Sequence, residues 1–309
     1  MKIAKLIKNP YCIFPVLANR GWFDRMADER FLRLRFRAQL GRWPDLKNPQ
    51  TFSEKLQWLK LHDRRPEYTI MADKYRVREY IKEKIGEEYL IPLLGVWDDP
   101  DEIDFDALPE RFVLKCNHNS GKGMCICKDK SKLDIEKVKS ELRHGLAQDY
   151  YLTGREWPYK DIPRKIICEK YMEDYETGEL RDYKFFCFNG TPLYCQVISD
   201  RSVCETIDFF DMEWKLQDFS GLFPYPHASS IIARPKTLSE MIACAERLSA
   251  GYTFLRVDLY EINQKMYFGE LTFYPASGFG TFSPEKWNRI FGEYLVLPDQ
   301  TVSDALSVI

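Results

Sequence analysis

The chain has 309 residues, with 45 Lys and Arg against 47 Asp and Glu for a formal net charge of -2, and its pI lies near 6.2. That balance excludes a nucleic-acid partner bound through bulk basic charge, and the length calls for two or three subdomains sharing a cleft. Nine cysteines without regular spacing and four scattered histidines give neither a disulfide framework nor a zinc pattern, and are read as free thiols and ordinary histidines of a cytoplasmic protein.

The opening stretch "MKIAKLIKNPYCIFPVLANRGWF" has an apolar run too short and too interrupted for a signal peptide or a spanning helix. Lys2, Lys5 and Lys8, then Arg20, Arg25, Arg30, Arg33, Arg35 and Arg37, make it basic. This is read as a solvated helix face, or as a peripheral contact with anionic lipid at the inner face of the cell membrane or with a polyanionic glycan. Residues 1–66 form an N-terminal helical region. In "TFSEKLQWLKLHD" the pattern Thr51-x-x-Glu54 predicts a capping box, with Phe52, Leu56 and Leu59 on one face.

Residues 67–110 are read as a small subdomain and linker. "MADKYRVREYIKEKIG" predicts one helix with Val77, Tyr80, Ile81 and Ile85 inward and Gly86 at its stop; "YLIPLLGVW" is extended, and "DDPDEIDFDALPER" is an acidic linker. Residues 111–180 begin with the strand "RFVLKC" and a loop of Asn, His, Ser, Gly and Lys, then the helix "SKLDIEKVKSELRHGLAQDYY" and the strand "RKIICEKYM". Residues 181–298 hold the hairpin "DYKFFCFNGTPLYCQVIS", turning at Asn189-Gly190, the helix "TLSEMIACAERLSAG" with a second capping box, Thr237-x-x-Glu240, and the hairpin "FLRVDLYEINQKMYFGELTF". Residues 299–309 are a tail. The fold class is α+β, dominated by antiparallel hairpins.

Strand alternation sorts the polar residues. Asp182 and Lys184 share a face of the first hairpin; Arg256 and Asp258 share one on the second, and Glu270 and Thr272 another. If Asn263-Gln264-Lys265 forms a three-residue turn, Asp258 lies opposite Glu270. Opposed carboxylates repel. The acids are therefore exposed, joined to Arg256 in a salt-bridge cluster, or bound to Mg²⁺ with substrate phosphates. Lys115 at its strand end, the loop from Asn117 to Gly123, Lys184 and Arg256 add the positive charge and N–H donors that a nucleoside triphosphate with Mg²⁺ needs beside such acids. Burying these charges without a ligand is costly. The loop is not a Walker A motif, because Cys116 and Gly123 stand where Gly and Ser or Thr are required.

In their order along the chain, "ADKYRVREYI", "FVLKCNHNSG", "ICEKYM", "DYKFFCFNG", "RVDLY" and "FGELTFYPASG" resemble the ATP-grasp superfamily. Over residues 50–298 they resemble its TupA-like branch, of the teichuronopeptide and surface-polysaccharide type. The resemblance implies an ATP-grasp fold with the nucleotide between two α+β subdomains: residues 111–180 as the lid and 181–298 as the metal-bearing part. It also implies that Lys115 and Lys184 contact phosphates and that Asn117, Asn119, Ser120, Gly121, Lys122 and Gly123 close over them. Glu169, Lys170, Tyr171 and Met172 form the hinge beside adenine, with Glu173 or Asp174 at the ribose and Asp182 in the nucleotide site. Asp258 and Glu270 bind Mg²⁺, and Arg256 sits near the transferred phosphoryl. Where many members of the superfamily have Glu-x-Asn, this chain has Glu270-Leu271-Thr272, which makes Thr272 the third metal candidate.

The activity implied is an ATP-dependent ligase that joins a small-molecule or glycan carboxylate to an amine through an acyl phosphate. That chemistry needs no enzymic nucleophile, and the sequence shows no Ser-His-Asp or Cys-His spacing. Arg201, Lys236, Ser277 and Gly278 are acceptor-side candidates, with ordinary turn roles as the alternative. The rival readings are a kinase acting on a sugar hydroxyl, and a glycosyltransferase or its non-catalytic partner. Against the glycosyltransferase, the nearest thing to D-x-D is "DFFD", Asp208 to Asp211, which is spaced too widely.

Overall fold

The computed structural model describes residues 9–176, 178, 180–199 and 205–298. Three helices open the described chain: α1 (Phe14–Ala18), α2 (Asp28–Leu40) and α3 (Phe52–His62). The capping box at the start of α3 forms as the sequence predicts. The Thr51 side chain accepts from the Glu54 amide, and the Glu54 carboxylate accepts from the Thr51 amide. Helix α3 is buried on more than its apolar stripe, enclosing Gln57 and Lys60 along with Leu56, Trp58 and Leu59.

The next helical stretch differs from the single helix expected. It comprises α4 (Pro66–Ala72) and α5 (Val77–Lys84). Asp73 divides them: its Oδ1 accepts from the Tyr75 amide at 2.8 Å and the Arg76 amide at 3.3 Å. A short acidic side chain that bonds the backbone ahead of it competes with helix continuation and starts a new one.

A four-stranded antiparallel sheet follows, made of β1 (Leu93–Trp97), β2 (Phe112–Cys116), β3 (Met124–Cys127) and β4 (Ile166–Lys170) in the order β1-β4-β2-β3. Its edge strand β1 comes from across the boundary drawn at residue 110. The acidic linker is more than a tether, since Ile103, Phe105 and Leu108 are buried in this sheet's core. Helix α6 (Ile135–Ala147) covers the sheet through Val138 and Leu142, and α7 (Tyr150–Gly154) follows.

The larger sheet has five antiparallel strands: β5 (Asp182–Phe188), β6 (Thr191–Ser199), β7 (Thr206–Asp211), β9 (Phe254–Ile262) and β10 (Lys265–Thr272), in the order β10-β9-β5-β6-β7. A short pair, β8 (Ser220–Leu222) with β11 (Thr281–Ser283), lies beside it. Helices α8 (Leu238–Ser249) and α9 (Lys286–Tyr294) pack with α3, α4 and α5 on this sheet in the principal core.

Asn189 and Gly190 both take positive φ in the β5–β6 turn, as a two-residue type I′ hairpin requires. The capping box expected at Thr237 is absent: its amide and Oγ1 both donate to Glu261 Oε2, at 2.7 and 2.6 Å. A carboxylate from β9 takes the place of Glu240. The described cysteines are free thiols. "DFFD" is structural, with Asp208 accepting from the Ala228 amide and paired with His227 Nδ1 at 2.7 Å.

Candidate active site

Strand β2 buries Phe112, Leu114 and Cys116 and turns Lys115 to the other face. There Lys115 Nζ lies 2.6 Å from Glu169 Oε2 on the neighbouring β4, and Arg78 of α5 is 3.7 Å from the other Glu169 oxygen. Hydrogen bonds from the turn before α5 support the loop after β2. The Lys74 amide donates to Asn117 O at 3.1 Å, and Lys74 Nζ donates to Asn119 O at 2.6 Å. Burial pulls the Lys74 ammonium below the usual lysine value, among the charges of Glu270, Lys115 and Glu169. Lys74 thus stands between the charged groups of the two sheets.

The loop uses its polar side chains internally. Asn117 Nδ2 donates to Asp73 Oδ1 and Pro163 O, while its Oδ1 accepts from the Lys165 amide. Asn119 donates to Gly145 O, and His118 Nε2 meets Gln148 O at 3.1 Å. What the loop offers the cleft is its backbone and the exposed tip at Ser120, Gly121 and Lys122. Its two glycines have different causes. Gly121 has φ +79° in open space, whereas a Cβ on Gly123 would come within 2.8 Å of the Gly145 Cα in α6. Gly123 is required by close packing on the helix as well as by its backbone conformation.

On the five-stranded sheet, Asp258 pairs in register with both Lys184 and Glu270. The route to that register differs from the expected three-residue turn. The β9–β10 turn has two residues, Asn263 and Gln264, both at positive φ, and a bulge at Gly269 shifts the register by one. Turn and bulge together restore the Asp258–Glu270 pairing. Arg256 holds Asp258 by two bonds of 2.7 Å and reaches Glu270 at 3.1 Å and Thr272 Oγ1 at 3.0 Å. Lys184 bonds Asp258 and lies 3.3 Å from Asp182.

Burial alone would raise Glu270, but Lys74, Lys184 and Arg256 outweigh it and bring the carboxyl down to about 2. Burial pushes the Asp258 carboxyl up against the opposing pull of Arg256 and Lys184.

Two carboxylates and a hydroxyl are hard oxygen donors, suited to Mg²⁺ completed by substrate phosphates and not to zinc. No group of three or more His, Cys, Asp or Glu able to hold a metal occurs among the described residues, so phosphate oxygens would have to complete the shell. The fit is best at Glu270, whose side chain is 38% exposed. Both oxygens of the fully buried Asp258 are taken by Arg256 and Lys184.

The other expected residues fall at varied distances from this cluster. Glu173 pairs with Arg111 at 2.8 Å, and Tyr171 stacks beneath the same guanidinium. Asp174 accepts from the Asn263 amide at 2.6 Å, tying the segment after β4 to the β9–β10 turn. Lys170 is exposed, and its amide donates to Pro92 O. Lys236 lies elsewhere, in a cavity of about 350 Å³ shared with Arg234, Tyr183 and Glu261; these last two alternate away from Lys184 and Asp258. Arg201 falls outside the described residues. Ser277 and Gly278 follow β10, where their carbonyls accept from Lys60 and Gln57.

Sequence reasoning missed Lys74, Arg78 and Lys60. An Asp placed to cap a new helix just before Lys74 was the one local signal available. The others are brought in by tertiary packing alone.

One sheet thus presents Lys115 beside a hydrogen-bonded loop, and the other presents Lys184 within an acid–arginine cluster. The TupA-like ATPgrasp family model matches residues 54–296, and the chain belongs to that family. A search among curated proteins found no match. Among solved structures, the chain is similar to a D-alanine–D-alanine ligase from Bacillus anthracis complexed with ATP, at 17% identity and TM-score 0.39, covering 66% of this chain and 55% of that one. It is also similar to the D-alanine–D-alanine ligase of Helicobacter pylori, at 12% identity and TM-score 0.43, covering 80% of this chain and 69% of that one. An ATP-grasp RimK domain protein from Sphaerobacter thermophilus matches at 10% identity and TM-score 0.40, covering 74% and 69%. The chain thus spans little more than half the length of the first of these.

Proposed function

We propose that the protein is an ATP-dependent carboxylate–amine ligase of bacterial surface-polysaccharide synthesis, joining an amino acid or other amine to a uronic-acid-type carboxylate. The observation that carries this reading is the Lys184–Asp258–Arg256–Glu270 cluster, with Lys74 bridging its charges to Lys115 on the facing sheet. In this reading Lys115 and Lys184 hold the ATP phosphates, and the loop 117–123 covers them with backbone N–H groups. Residues 169–172 meet adenine, and Glu173 or Asp174 lies near the ribose. Glu270, with Thr272 beside it, would hold Mg²⁺, and Asp258 would join it by releasing a bond to Arg256 or Lys184; the ion would supply neutralisation of the phosphate charge. Arg256 stabilises charge on the phosphoryl group as it passes to the carboxylate, giving an acyl phosphate. The amine then displaces phosphate and forms the amide. These residues act by positioning and charge stabilisation. Residues 111–180 would be the lid and 181–298 the base.

An ATP-consumption screen of uronic acids crossed with amino acids tests the proposal, with hydroxylamine as a trap for the acyl phosphate. Amine-dependent ADP release and hydroxamate formation are expected. Turnover that needs no amine and yields a phosphoester would instead establish the kinase alternative, and consumption of a nucleotide sugar without ATP the glycosyltransferase.

Among the described residues no helix is long and apolar enough to cross a membrane. A peripheral contact is supported by Trp22, which is 70% exposed near exposed Ile13 and Val16, and by exposed Arg20 and Arg25. Co-sedimentation with anionic but not zwitterionic vesicles is the expected result.

A further inference from the structure

The five-stranded sheet carries a second polar feature on its other face. Lys184 and Asp258 point to one side, whereas Tyr183, Cys187 and Glu261 alternate to the other. Helix α8 covers that other side: Cys187 Sγ donates to Ala245 O at 3.9 Å, and Glu261 bonds Thr237 at the helix start. Where this packing ends, just before α8, lies the cavity of about 350 Å³ that contains Lys236. Its volume falls in the range of small-molecule sites, which are usually apolar. Here only Ala233 and Pro235 in the lining lack a polar side-chain group. An apolar ligand does not suit it.

The polar groups divide into those that build the walls and those left open. Asp174 accepts from the Asn263 amide at 2.6 Å and the Glu176 amide at 3.1 Å. Glu261 Oε2 accepts from the Thr237 amide and hydroxyl, and Arg181 hydrogen-bonds Tyr183. These contacts hold the segment after β4, the β9–β10 turn and the start of α8 around the cavity. Arg234 and Lys236 are exposed and have no hydrogen bond or ion pair among the described residues. Beside them are the exposed side chains of Glu176 and Gln264, and Tyr175, which is 84% exposed. A small anion would use the two cations and leave the rest of this space unfilled. A neutral polyol would leave the cations unpaired. A carboxylate carried among hydroxyls uses both sets, since hydroxyls donate to a carboxylate and accept from an amide.

We propose that this cavity binds a uronate unit of a saccharide, its carboxylate on Arg234 and Lys236 and its hydroxyls on Glu176 and Gln264. The link to the acceptor rests on the ligase reading and deepens it. A site across the sheet from Lys184 and Asp258 holds a sugar unit other than the one that reacts, so the acceptor is an oligomer or polymer of acidic sugars.

The test is calorimetric titration of the full chain with trigalacturonate, neutral cellotriose and inorganic phosphate, each with and without saturating AMP-PNP and Mg²⁺. The parent should bind trigalacturonate saturably in both conditions and cellotriose at least tenfold more weakly. The double variant Arg234→Gln, Lys236→Gln should lose about tenfold or more in trigalacturonate affinity, with AMP-PNP affinity and urea unfolding unchanged. Parent-like trigalacturonate affinity in the double variant overturns the proposal, as does a parent that shows no saturable binding. Equal affinity for cellotriose or phosphate overturns the uronate assignment, and displacement by AMP-PNP would make the cavity part of the nucleotide site. The ligase reading fails separately: if ATP turnover proves independent of amine, that reading falls while saccharide binding through Arg234 and Lys236 still stands.

Discussion

The two sheets, the two walls of the proposed site, carry similar charges but bury them differently. On the five-stranded sheet, Lys184 and Arg256 have side chains only 9% exposed around a fully buried Asp258. On the four-stranded sheet, Lys115 is 22% exposed and its partner Glu169 11%. The first wall rests on the principal core and the second on a smaller core of its own. Breaking a buried ion cluster leaves an uncompensated charge in low dielectric, and the loss is smaller where one member of the pair is partly exposed. The five-stranded sheet therefore carries the more deeply buried electrostatic frame of the two.

The largest expected effects test the more deeply buried wall. Asp258→Asn and Glu270→Gln should each lower Mg²⁺-dependent ATP turnover by about a thousandfold or more, a loss on the scale of removing a principal electrostatic group. Their stabilities should diverge. Asp258→Asn removes the partner of two buried cations and should cost about 3–5 kcal/mol in urea unfolding, whereas half-exposed Glu270→Gln should cost far less. Parent-like turnover in both variants would remove these acids from the metal site. Equal stability losses would show that the contrast within this wall is wrong.

The same comparison is sharpened across the cleft. Lys115→Ala should weaken ATP binding about tenfold or more, with a smaller stability loss than the variant of Lys184. Lys184→Met should weaken binding and destabilise as well, because Asp258 and Asp182 lose their shared cation. Fluorescent-nucleotide titration beside urea melts separates the two outcomes. Asn117→Ala probes the loop's internal bonding. It unpairs Asp73, Pro163 O and the Lys165 amide and should cost about 2–3 kcal/mol.

What the sequence revealed follows from the range of the interactions. Periodicity and turn chemistry are local, so the hairpins, the Thr51 capping box and the shared face of Asp182 and Lys184 could all be read directly. The Asp258–Glu270 pairing was reached through a turn one residue too long. A two-residue turn plus a one-residue bulge gives the same register, and nothing local distinguishes the two. The Thr237 box failed because Glu261, distant in sequence, supplies a closer acceptor. The sequence offers Asn117 and Asn119 as loop donors, but it cannot show that their amide groups already bond Asp73, Pro163 and Gly145. Lys60 lies at the edge of the stripe of Phe52, Leu56 and Leu59, where a lysine can ordinarily reach water with its ammonium. Only the docking of α3 under the loop after β10 buries that ammonium.

That buried lysine supports the subtlest prediction, at the junction of the N-terminal helices with the more deeply buried wall. Burial brings Lys60 down to about 7 from an ordinary 10.5, with Glu156 opposing and Arg35 assisting the shift. The folded chain therefore sheds this proton near pH 7, while the unfolded chain keeps it until near pH 10.5. Between those values the unfolded state binds more protons, so this group's contribution to stability rises with pH. Lys60→Met removes the titration, and stability measured for parent minus variant should climb from pH 7 to pH 9. A flat difference would mean that Lys60 stays charged in the fold, held by its three oxygen acceptors, Gly154 O, Ser277 O and Ser277 Oγ. The Ser277 loop would then be fastened by a permanent cation, and α3 would belong to the frame of the more deeply buried wall at every pH tested.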